Sequence, residues 1–201
     1  MTHLRPALAE FDTWEAVGNA NWSWTSLLPY YRKSENLQIP SATQKAQGAS
    51  YVADVHGFDG PLDVGWPPHL NVGSFGPIIN ETWQSLGLTW NVDPNTGFPR
   101  GLFLKPSHYN LQLGGIREDA NRAYLLPVAN RSNLNIFTFT YASKVVLDND
   151  KSSGSIVATG VEVVDTSEEY QTIRAAREVI LSMGTFRNPG LLEASGIGNP
   201  R

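Results

Sequence analysis

The sequence predicts an α/β (α+β) fold, and three observations predict it. Apolar residues recur at helical spacing in three stretches of the first ninety positions, while strand-like runs crowd the last seventy. The short apolar run Glu178-Val179-Ile180-Leu181 then ends on Ser182-Met183-Gly184, the pattern of a buried strand meeting a tight turn. At about 150 residues per domain, 201 residues allow one or two domains and a sizeable core.

Taken in order, residues 7–18 and 25–36 read as short helices. Ala9, Phe11, Trp14 and Val17 follow near-helical spacing in the first, and Leu27, Leu28 and Tyr31 in the second. From Ile39 to Asn71 the chain is dense in turn formers and reads as irregular. A longer helix over 73–86 places Phe75, Ile78, Ile79, Trp83 and Leu86 on one face, with Gly87 as its stop. Residues 88–115 read as loop with short extended pieces, and 117–125 as a helix ending at Leu126-Pro127. Strand-like runs cover 134–147, 155–165, 170–175 and 177–181. The turns 148–154 and 166–169 separate the first three, as an antiparallel meander requires. A short helix closes the pattern over 189–195, with Pro189 in its first turn and Gly196 as its C-terminal glycine.

Composition narrows the function classes. Hydrophobic residues make 41% of the chain and charged residues 17%, too apolar and too sparsely charged for disorder. Fifteen Lys plus Arg against nineteen Asp plus Glu give −4 with no basic run, which argues against a nucleic-acid partner. With no cysteine there is no disulfide framework, thiolate metal site or Cys nucleophile. No stretch approaches the roughly 18 apolar residues of a membrane span, so no membrane partner is expected. The N-terminus lacks the apolar core of a signal peptide. Asn21-Trp22-Ser23, Asn80-Glu81-Thr82 and Asn130-Arg131-Ser132 fit the glycosylation sequon, but about two such matches arise by chance at this composition, so compartment stays open.

The obvious chemistry-bearing motifs are weak when read alone. Neither a G-x-G-x-x-G nor a G-x-x-x-x-G-K-[ST] is present, and Gly196-Ile197-Gly198 reads better as a helix-ending turn. Ser195 lacks the first glycine of a G-x-S-x-G elbow and reads as a capping or packing residue. His3, His56, His69 and His108 are too scattered for a helical metal pair. His56 near Asp59 reads as a turn histidine before it reads as a ligand. All six Trp lie in the first 90 residues, as core packing or as the lining of an apolar pocket for a sugar or aromatic substrate.

One longer segment is more specific. Gly184-Thr185-Phe186-Arg187-Asn188-Pro189-Gly190-Leu191-Leu192-Glu193-Ala194-Ser195-Gly196-Ile197-Gly198 resembles the second signature of the glucose–methanol–choline (GMC) flavoprotein oxidoreductases. It departs once, with Asn188 where Ser or Thr is usual, and Asn can still make the short side-chain bond that caps a helix N-terminus. Phe11 to Glu15, Gly18-Asn19, Trp22-Ser23-Trp24 and Leu27 to Glu35 resemble the family's stretch after its flavin-attachment loop. His56-Gly57 with Gly60-Pro61-Leu62, Arg117 to Pro127, and Asn133 to Val146 resemble further family segments in order, closest to the glucose-oxidase-like fungal branch.

That resemblance implies FAD as cofactor and a small-molecule alcohol or sugar as substrate, oxidised at CH–OH by hydride transfer to flavin. It implies part of a substrate-binding domain over 1–114 and part of an FAD-binding domain with a β-meander over 115–201, holding the signature at 184–198. Ala142 matches the strand position whose backbone meets the adenine ring, and Gly184 the strand end that faces the cofactor. Residues 185–198 would frame the FAD domain. Family members also carry a G-x-G-x-x-G turn for the pyrophosphate and a histidine that takes the alcohol proton. Neither matches a position here, so no catalytic residue is assigned. The chain is expected to be an interior portion, inactive by itself and holding FAD weakly or not at all. A non-catalytic binding module on a degenerate GMC scaffold is the rival expectation, and a small carbohydrate-binding domain of unrelated fold a third.

Overall fold

A computed structural model describes residues 2–68, 70, 75–149, 152 and 154–199. The chain divides into two compact units, Met1–Leu134 and Asn135–Arg201.

The first unit opens with α1 (Leu8–Ala16) and α2 (Trp24–Ser34), within a residue or two of the expected spans. Glu10 reaches back so that its Oε2 accepts the Ala7 N–H at 3.1 Å, one half of a capping box. Arg32 and Lys33 occupy the last turn of α2, where cations favour the helix dipole. Phe11 and Trp24 pack the two helices together, their rings 5.9 Å apart and both side chains buried.

The stretch read as irregular from Ile39 to Asn71 is more ordered than turn residues suggest. It holds α3 (Ala42–Ala46), a 3-10 turn (Ala53–Val55) and strand β2 (Leu62–Gly65). Ser41 and Gln44 make the reciprocal bonds of a full capping box, which lets a five-residue helix form. β2 is four residues long and carries no alternation long enough to announce a strand. It lies parallel to β1 (Glu35–Leu37) and antiparallel to β3 (Ser107–Asn110), which pairs with β4 (Ile116–Arg117). Leu37, Ala49, Val64 and Trp66 form the core under this sheet, and the Trp66 indole N–H donates to Leu104 O at 3.1 Å.

Helix α4 (Phe75–Ser85) falls within the expected 73–86, whose first two residues lie outside the described ones. Its apolar face is turned outward, with Phe75, Ile78, Trp83 and the following Leu86 exposed. The expected helix over 117–125 is corrected. β4 occupies its start, a single π turn spans Asn121–Leu125, and a 3-10 turn follows at Leu126–Val128. Pro127 cannot donate the backbone bond that would continue an α-helix there.

The second unit is the meander. β5 (Tyr141–Asn149) pairs antiparallel with β6 (Ile156–Val164), and β6 with β7 (Tyr170–Arg174), in the order β5-β6-β7. Residues 134–140 are not strand, which shortens the first expected run. Gly160 sits where a Cβ would come within 2.6 Å of Ile173 O, so the close β6–β7 approach needs glycine. The fourth expected strand, 177–181, does not form. No described residue pairs with it, and Ile180 is 74% exposed rather than buried. Helix α5 (Arg187–Ala194) then packs on β5 through Leu191.

Candidate functional site

The segment around α5 collects the positions singled out for a cofactor. Gly184 lies in the turn before α5 at φ +86°, a conformation open to glycine at no steric cost. Nothing stands within 4 Å of the point a Cβ would occupy, so its backbone can be approached closely. Ala142 lies near the start of β5, opposite Val163, just before the register shift between Ala142 and Lys144. β5 is an edge strand, and one row of its main-chain groups faces away from the ladder.

Two polar side chains, Asn188 in α5 and Ser195 at its C-terminal cap, tie both segments to the helix. Ser195 Oγ accepts the Val145 N–H at 2.8 Å and donates to Leu191 O at 2.6 Å, fastening α5 to the strand that carries Ala142. Asn188 Oδ1 accepts the Met183 N–H at 2.9 Å and its Nδ2 donates to Leu181 O at 3.4 Å, fastening the helix to the turn that carries Gly184. The Asn188 N–H donates to Gly184 O at 3.0 Å. Asn188 therefore makes a short side-chain bond, but to the turn behind it rather than as a helix cap. Ser195 packs as expected and has no nucleophilic setting.

The first unit holds two further features. Phe11, Trp14, Trp22, Tyr30 and Tyr31 line an open cavity of about 670 Å³, within the size range of small-molecule sites. The Trp14 and Trp22 rings lie 5.5 Å apart at 32°. Trp24 and Trp66 are buried in the core, as core packing predicts, while Trp14 and Trp22 are about half exposed.

The second feature is a buried charge cluster. His56 is fully buried, with Nδ1 2.8 Å from Glu35 Oε1 and Nε2 2.8 Å from Asp93 Oδ2. It closes the Ala53–Val55 turn, its N–H donating to Ala53 O at 3.1 Å, and its ring pairs with Glu35 and Asp93 rather than with Asp59. Arg5 Nη2 donates to Glu35 Oε2 at 2.6 Å. His3 Nε2 lies 3.2 Å from Glu35 Oε1, and its Nδ1 is 3.0 Å from His108 Nε2. Burial alone would push Glu35 up, but bonding and charge from His3 and His56 hold it at about 2. For His56, burial opposes the proton, yet the bonds to Asp93 and Glu35 and their charges outweigh it and raise its pKa. His69 lies outside the described residues.

Compared with protein-family models, the whole chain, residues 1–201, matches the GMC oxidoreductase model. The chain belongs to the GMC oxidoreductase family. Among related proteins, the glucose oxidase-like protein fsoC of Humicola fuscoatra is 45% identical over 188 residues, 93% of this chain and 32% of that one. Glucose oxidase 1 of Penicillium expansum is 34% identical over 201 residues, 96% of this chain and 32% of its own length. Among solved structures, an FAD-dependent oxidoreductase from Chaetomium thermophilum superposes with a TM-score of 0.87 at 28% identity, over 98% of this chain and 33% of that one. This GMC chain thus spans about a third of the length of the relatives it matches.

Reading the residues one by one missed the Arg5–Glu35–His56–Asp93 cluster entirely. The available signal lay in the glycines beside it. A Cβ at Gly57 would stand 1.7 Å from Arg32 O, and one at Gly60 2.4 Å from the Ser34 carbonyl carbon.

Proposed function

We propose that this chain is part of an FAD-dependent oxidoreductase that oxidises the CH–OH group of a small-molecule alcohol or sugar by hydride transfer to flavin. In this reading residues 1–114 belong mainly to the substrate-binding domain and 115–201 to the FAD-binding domain. The observation that carries it is the local assembly at 184–198, where α5 joins the open Gly184 turn to the edge strand of Ala142. The match of the family model along the chain and the glucose oxidases among its relatives support the same reading.

The residues present are compatible with part of an FAD site. Ala142 lies on the edge strand β5, whose outward row of main-chain groups can meet a flat heteroaromatic ring edge. Gly184 has the unobstructed backbone that close approach of a cofactor demands. When bound, FAD supplies the hydride acceptor. Asn188 and Ser195 act behind these positions, fixing the turn and the strand to one helix. His56 does not serve as the base for the alcohol proton, because it has no exposure and both its nitrogens face carboxylates.

The test is to purify the product of the complete reading frame containing this segment and follow its flavin absorbance anaerobically. Bleaching on addition of a sugar or a primary alcohol is the expected result. A purified folded protein that carries no flavin would overturn the proposal.

A further inference from the structure

We propose that His56 is held as an imidazolium and works as a pH-sensitive latch that seats the N-terminal strap, residues 2–7, on the first unit. The geometry requires the charge. An ionised carboxylate only accepts hydrogen bonds, so an imidazole flanked by two of them must donate from both nitrogens. The neutral ring has one N–H, which would set its remaining lone pair against a carboxylate oxygen 2.8 Å away. With His56 charged, Arg5 and His56 balance Glu35 and Asp93; without that proton, a buried negative charge is left unpaired.

The groups that face this ring come from several elements. Glu35 comes from β1, Asp93 from the segment before the Pro94–Thr96 turn, and Arg5 and His3 from the strap through Glu35. His108 of β3 stands behind His3, and the Tyr51 ring meets His56 edge-on at 6.2 Å. Arg32 of α2 donates from Nε to the His56 carbonyl at 3.2 Å.

The strap is held partly by backbone contacts, the His3 N–H donating to Pro106 O at 3.0 Å and Thr2 bridging Ser107, and its Arg5 side is anchored on the two carboxylates that His56 holds. Arg5 binds Glu35 directly, and the Arg5 N–H donates to Asn95 Oδ1 at 2.9 Å. Asn95 is in turn placed by its own N–H donating to Asp93 Oδ1 at 2.8 Å. Once His56 loses its proton, one carboxylate must turn toward water, and either choice removes an anchor of Arg5. The strap then loosens. The latch is therefore shut at neutral and mildly acidic pH, while Glu35 is still ionised, and opens as pH rises through the His56 titration.

Nitrogen-detected NMR of the histidine rings in the full chain tests this, together with amide hydrogen exchange. At about pH 8, well above the ordinary histidine value of about 6.5, the His56 ring should still carry both N–H protons. Between the ordinary histidine value and the His56 titration, the opening equilibrium measured at the His3 and Arg5 amides should rise about tenfold per pH unit, as release of one proton on opening requires, and level off above that titration. A neutral His56 ring at pH 8, with the proton on Asp93 or absent, overturns the proposal. So does strap exchange that ignores the titration. His56→Gln should abolish the alkaline step, and a step that persists in this variant also counts against the latch. The wild-type spectrum decides the matter even if the variant does not fold.

Discussion

Replacing Ser195 by alanine tests whether α5 is held on the meander by one hydroxyl. The side chain makes two bonds, but the two losses are unequal. The Leu191 carbonyl keeps a donor, the Ser195 N–H at 3.0 Å. The Val145 N–H keeps none: it points away from the β6 ladder, and Val145 itself is 6% exposed. The cost is therefore dominated by one buried, unsatisfied donor, about 1–3 kcal/mol. For a chain of this length that corresponds to a fall in Tm of roughly 2–4 °C per kcal/mol. Because the chain has two compact units, the decisive assay is local. Hydrogen exchange at the Val145 amide should accelerate in Ser195→Ala and recover in Ser195→Thr, which restores a hydroxyl. A stability change under about 0.5 kcal/mol, with Val145 as protected as in wild type, would refute the reasoning.

Three further outcomes follow from the same geometry. Gly57→Ala forces a Cβ to 1.7 Å from the Arg32 carbonyl oxygen, a backbone atom that cannot swing aside, and should cost at least about 3 kcal/mol in a denaturant melt. Gly190→Ala is the converse. The residue lies inside α5 with nothing within 4 Å of its would-be Cβ, so thermal melts should show a gain of about 0.5–1 kcal/mol. Glu35 is depressed from 4.5 to about 2, so its contribution to stability is present above about pH 4.5 and is lost as pH falls toward 2. Glu35→Gln should remove that acid dependence. It also leaves the Arg5 guanidinium buried without its partner, at about 3–5 kcal/mol in urea titrations at neutral pH.

What was legible in the sequence was whatever has a local cause. α1, α2, α4 and α5 carry helical spacing or end signals within their own residues, and the meander alternates between turns that glycine and acidic residues punctuate. Gly184 could be singled out because its neighbours form a fifteen-residue pattern, and the structure places it in a glycine-type turn. The failures have non-local causes. β2 exists because β1 and β3 lie on either side of it, not because four residues prefer extension. Residues 177–181 have the composition of a buried strand, but a strand is a relation between two segments, and no described residue supplies the second.

The buried cluster shows the same limit in its sharpest form. Arg5, Glu35, His56 and Asp93 are separated by 30, 21 and 37 positions, and no periodicity links them. Each alone reads as a surface residue, since charged side chains are almost never buried unless paired. Pairing is what the fold adds. Removing any one member leaves the others charged in a buried site, so the four form a unit whose loss is not the sum of its parts. A double-mutant cycle makes this measurable: Arg5→Met with Glu35→Gln should cost less than the two single changes added together, because the second change removes a charge that the first has already stranded. Additive costs within about 0.5 kcal/mol would mean that the cluster is four separate contacts rather than one.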